Sequence, residues 1–86
     1  MGILPFMQKI EILFGNAVRK RRQEMGLSQE DFADKAGIHR TYVSSIELGK
    51  VQVSIRIAAQ LAEALEVPLS VLWRDIEQGQ SGNRKG

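Results

Sequence analysis

Apolar positions recur along the chain at intervals of three and four, the period of an amphipathic helix. Leu13, Phe14, Ala17, Val18 and Met25 trace such a stripe across residues 12–25, and Gly26 stands where a left-handed residue would end a helix. Ser28 then opens a second helix as its N-cap, with Glu30 and Asp31 in the first turn, where the helix dipole favours negative charge. Phe32, Ala33 and Ala36 supply its buried face, and Gly37 stops it. A third helix is expected over residues 40–48, with Val43 and Ile46 inward and Gly49 as its terminator. Ser54 caps a fourth, Ile55 to Leu65, whose Ile57, Ala58, Leu61, Ala62 and Leu65 form a strong amphipathic stripe. Pro68 lies at the start of a fifth, residues 69–77. Only residues 51–57 alternate as a strand would, and helical spacing overtakes them. An all-α domain of five short helices is the expectation.

Residues Gln29 to Leu48 are the most informative segment. Two helices of about two turns each are joined by Gly37-Ile38-His39, and a glycine-containing joint of that length makes a helix-turn-helix corner. Ala33 lets the helices approach, and Gly37 supplies a positive φ without a Cβ penalty. Two packed helices of any small bundle use the same spacing, so spacing alone leaves both readings open. The outer face of the third helix separates them. Val43 and Ile46 define its buried side, while Thr41, Ser44 and Ser45 fall opposite, with Arg40 at the edge near the N-terminus. A solvated surface helix would carry Glu and Lys there. Small hydroxyls instead allow close approach to base edges, and an arginine can bridge guanine O6 and N7.

Composition narrows the class. A chain of 86 residues with 43% apolar content suits one folded domain, taken here as residues 12–78. Residues 1–11 read as an apolar arm, placed over the core, along an interface, or free; residues 79–86 read as a polar, disordered tail. With no cysteine and one histidine, neither a disulfide framework nor a metal site is expected. Catalytic residues, a cofactor site and a small-molecule pocket are likewise not expected. No apolar run is long enough for a membrane span, and no basic segment precedes the apolar start, so a cytoplasmic location is expected. The formal charge is only +2, but Arg19-Lys20-Arg21-Arg22 hold four of the twelve basic residues. Such a run alone suits a solvated helix face as well as a binding surface.

The string Ser28 to Ile38, with Tyr42-Val43-Ser44-Ser45-Ile46-Glu47 and Gly49, resembles the Xre/lambda-repressor-like helix-turn-helix family. Within that family His39 to Ser44, Phe14-Gly15 and Ala64 to Glu77 are similar to the controller proteins of restriction–modification systems. The resemblance implies a lambda-repressor-like DNA-binding domain, a compact five-helix bundle in which Arg40, Thr41, Ser44 and Ser45 face the major groove. It implies that Gln29 braces a phosphate and orients the recognition helix, that Tyr42 points to the DNA backbone, and that Arg22 and Glu47 form an ion pair tying helix one to helix three. Arg19, Lys20, Ser28, Lys50 and Gln52 complete the expected phosphate set. Leu48, Val51 and Gln52 depart from the pattern, since many controller-like members have a basic residue and an asparagine in that loop. His39 also departs, standing where Ser, Thr or Asp is usual. It reads as a surface residue whose candidate roles are a cap made through its backbone and a phosphate contact.

One recognition helix reads too few base pairs for useful specificity, whereas two on a two-fold axis read a palindrome. Leu69, Leu72, Trp73 and Ile76 form a stripe on a last helix too short to bury it all, and tryptophan is enriched at interface centres. These four are the expected dimer interface; alternatively, Leu69 and Leu72 complete the core and Trp73 is half-covered. The expected function is a sequence-specific transcriptional regulator, a homodimer on an inverted repeat of double-stranded DNA, of the restriction–modification controller type. RNA polymerase is a further candidate partner. The rival is an antitoxin or other protein-interaction module in which DNA binding is secondary.

Overall fold

The computed structural model describes the backbone of residues 3–82 and the side chains of residues 10–78. Among these residues there are five helices and no strand: α1 (Ile3–Glu24), α2 (Gln29–Ala36), α3 (Arg40–Glu47), α4 (Ile55–Ala64) and α5 (Leu69–Gly82). None is long and apolar enough to cross a membrane.

Local chemistry sets most of the boundaries. The Ser28 hydroxyl accepts from the Asp31 amide at 3.0 Å, and that of Ser54 accepts from the Ile57 amide at 3.1 Å. Each satisfies an amide that has no partner inside its own helix. Gly37 adopts φ 76°, and its amide and that of Ile38 both return to the Ala33 carbonyl, at 2.8 and 3.0 Å. This left-handed closure is strained for any residue with a Cβ.

Both ends of the chain differ from the expectation. α1 starts at Ile3, so the expected break near residue 12 is absent and the backbone of most of the expected arm is helical. Pro5 does not prevent this, because it falls in the first turn, where its missing N–H has no partner to lose. α5 likewise runs to Gly82, past the expected limit at residue 77. Residues 83–86 of the expected tail lie outside the described residues.

α1 is the spine: it packs against α3 on one side and α5 on the other, while α2 packs on α3 and α4, and α4 on α5. Phe32, Val43, Ile46, Leu61, Leu72 and Ile76 are all but completely buried where these elements meet. Each contributes about 1.5–3 kcal/mol of hydrophobic stabilisation. Leu72 and Ile76 therefore belong to the core of one chain, which corrects their expected place at a dimer interface. Gly15 sets the closeness of α1 to α3: a Cβ there would strike the Ile46 carbonyl oxygen and lie 2.9 Å from that of Glu47.

Candidate nucleic-acid interface

The corner between α2 and α3 presents one face of α3 to solvent. Arg40 and Thr41 are exposed, Ser44 and Ser45 are half-buried, and Val43 and Ile46 anchor the opposite side in the core. The outer face thus carries one cation and three small hydroxyl side chains. Leu48, just past the helix, is 62% exposed. By helical spacing it continues the side on which Thr41 lies.

His39 starts α3 by a route the sequence reading did not favour. Its Nδ1 accepts the Thr41 amide at 3.1 Å and lies 2.9 Å from the Thr41 hydroxyl, so the side chain rather than the backbone is the cap. An accepting Nδ1 places the neutral ring's proton on Nε2. The imidazole caps one amide earlier than the serines do: its Nδ1 meets the second helical amide, that of Thr41, whereas Ser28 and Ser54 each meet the third.

Beneath this face lies a buried polar network. Arg22 and Glu47 are 8% and 6% exposed, deep enough that neither charge has bulk water to fall back on. The Arg22 Nε and Nη2 donate to the two Glu47 carboxylate oxygens at 2.6 and 3.0 Å, and Nη1 donates to the Leu27 carbonyl at 2.7 Å. Gln29 Nε2 adds a third donor to Glu47, at 3.0 Å. α1 and the first residue of α2 thus converge on the last residue of α3, while the α1–α2 turn holds the Arg22 guanidinium through the Leu27 carbonyl. Gln29 spends this donor inside the protein; it orients α3 directly.

The basic run divides along its length. Arg19 and Lys20 are exposed, and Arg22 serves the network just described. Arg21 turns instead to α5, where its Nε and Nη2 donate to the two carboxylate oxygens of Asp75. That hydrogen bonding raises the Arg21 pKa further above its ordinary value. Residues 21 and 22 are about 100° apart around a helix, so both cannot face the same neighbour. That spacing, with Asp75 beside the buried Leu72 and Ile76, was the available signal for a tie to α5.

The remaining candidates are scattered around the corner. Ser28, Lys50 and Gln52 are exposed, while Tyr42 is half-buried against the core. On another side of the molecule an apolar groove of about 360 Å3 runs between α1, the α3–α4 loop and α5, lined by Phe14, Val53, Ile55, Leu69 and Trp73 among others. Trp73 is 49% exposed and Ile55 82%, an unusual cost for two large apolar side chains to share. Among the described residues no group of acidic or histidine side chains could hold a metal ion.

Residues 18–72 match the helix-turn-helix family model. The control protein C.MunI of a Mycoplasma species is 44% identical over 73 residues, which cover 84% of this chain and 99% of that protein. The crystal structure of the restriction–modification controller C.AhdI from Aeromonas hydrophila superposes with a TM-score of 0.70 at 37% identity, over 72% of this chain and 94% of that one. The controller C.Esp1396I, seen as a tetramer with its natural 35 base-pair operator, gives 0.75 at 29% identity over 80% of this chain and 91% of that one. The chain belongs to the helix-turn-helix family, in the Xre-like group that includes the restriction–modification control proteins.

Proposed function

We propose that this protein is a sequence-specific, DNA-binding transcriptional regulator of the restriction–modification controller type, a homodimer on an inverted-repeat operator. The observation that carries this reading is the outer face of α3. One arginine and three small hydroxyl side chains stand over a buried Arg22–Glu47–Gln29 network that holds the helix in a single orientation. Arg40 reads a guanine edge, and Thr41, Ser44 and Ser45 make the short contacts that close approach permits. Arg19, Lys20, Lys50 and the His39 Nε2–H serve the phosphates, with Ser28, Tyr42 and Gln52 at the margin. These contacts fix register and carry no sequence information.

A second copy covers the apolar groove through Trp73, Ile55 and Leu69, with Leu72 and Ile76 behind them as support. Two recognition helices about 34 Å apart then meet successive turns of one face of the duplex. Regulation follows from occupying a promoter or from presenting a surface to RNA polymerase, in the cytoplasm. Selection of bound duplexes from a random pool, followed by footprinting, tests this: a palindromic site protected on one face is expected. Retention of unrelated sequences with equal affinity would overturn the proposal.

A further inference from the structure

The two consecutive arginines of α1 suggest how the dimer measures its operator. Among the packings that hold this bundle together, α1 is the element that meets both the recognition helix α3 and the last helix α5. At residues 21 and 22 it is tied to each by a two-pronged guanidinium–carboxylate pair: Arg22 to Glu47 on α3, Arg21 to Asp75 on α5. A fork of this kind fixes a plane as well as a distance, which a single point charge does not. The Arg21 and Asp75 side chains are 30% and 23% exposed, so the pair is partly shielded rather than free in water. On α5, Asp75 and the half-exposed Trp73 are about 200° apart around the helix axis, which puts the tie and the proposed partner face on opposite sides.

We infer that Arg21 and Asp75 are positioning residues that set the half-site spacing the dimer accepts, an inference that rests on the symmetric-dimer reading above. Both protomers carry the hinge: with α3 about 10 Å from α1 in each, turning α5 by roughly 10° against α1 changes the separation of the two recognition helices by about 3.4 Å, one base-pair step. Packing of α1 on α5 limits that rotation without fixing one angle, since crossing angles within a packing class scatter by about 15–20°. The paired fork resists it.

The test measures the full-length protein on duplexes carrying one selected half-site, or two at centre-to-centre separations changed one base pair at a time. The wild-type protein is expected to prefer one separation over its neighbours by about tenfold, the scale of one mismatched base pair. Asp75→Asn is expected to compress that preference to about twofold while leaving affinity for the single half-site unchanged. Should Asp75→Asn melt too low for binding to be measured, Arg21→Lys carries the same test, since it keeps the charge and loses the fork. Folded variants with undiminished spacing preference would overturn the inference and leave the dimer standing. A wild-type protein indifferent to separation would overturn the dimer itself.

Discussion

Arg40 and Lys50 are both exposed cations near the recognition helix, and their different positions predict different losses. Arg40 stands at the first position of α3, where a guanidinium reaches base edges. Arg40→Ala should cost about 1–3 kcal/mol on the selected operator and relax one base position. Lys50, in the loop after the helix, should lower affinity for every sequence about equally when changed to Ala, and reduce the slope of binding against salt. Binding curves on matched and scrambled duplexes at several salt concentrations separate the two. Glu47 behaves otherwise because it is buried against three donors from Arg22 and Gln29. Glu47→Gln leaves the Arg22 charge buried without its counterion, and urea unfolding should show a loss of about 3–5 kcal/mol. A loss below about 1 kcal/mol would mean that water reaches the Arg22 guanidinium after all.

Between elements, closeness of approach matters more than any one bond. Gly15 lets the α1 backbone lie against the carbonyls that end α3. Gly15→Ala should push the two helices apart and lower the melting temperature, with a loss of about 1–3 kcal/mol as for other overpacked contacts. The readout specific to this contact is a larger fractional loss of operator binding than of binding to random DNA. The α4–α5 turn holds a different kind of tie. Glu66 adopts φ 62°, and its carboxylate accepts from Lys35 Nζ at 2.8 Å, which also donates to the Ala64 carbonyl at 2.7 Å. That hydrogen bond lowers the Glu66 pKa below the ordinary carboxylate value. A carboxylate with a depressed folded-state pKa stabilises the protein above its unfolded pKa and loses that contribution as pH falls through the folded value. Glu66→Gln should therefore melt slightly below the wild-type protein at neutral pH and alongside it once the medium is more acidic than the depressed pKa. Thermal melts across the acid limb check this.

At the scale of the whole molecule, the unpartnered groove and its half-exposed Trp73 decide whether the chain works alone. Trp73→Glu should leave the fold intact, because the core beneath is closed by Leu72 and Ile76, and should shift the protein to monomers in analytical ultracentrifugation. Loss of the second half-site then weakens operator binding far more than nonspecific binding, since palindrome recognition needs both helices. A Trp73→Glu protein that remained dimeric would move the interface elsewhere on the surface.

Much of this was legible in the chain before any coordinates. Ser28, Ser54, Gly37 and the three- and four-residue stripes act over a few residues, and local propensity, capping and turn chemistry speak directly through sequence. The helix-turn-helix corner and the outward set on α3 belong to that category. Two matters were decided only by tertiary packing. The α5 stripe divided between core and surface according to how α1 and α4 covered it, leaving Trp73 out and Leu72 and Ile76 in. Among four adjacent basic residues the family resemblance singles out Arg22, but the capture of Arg21 by Asp75 appears only in the fold, because that partner lies 54 residues away. Short-range interactions determine what each segment is; which charge is left for DNA depends on what the rest of the fold has already neutralised.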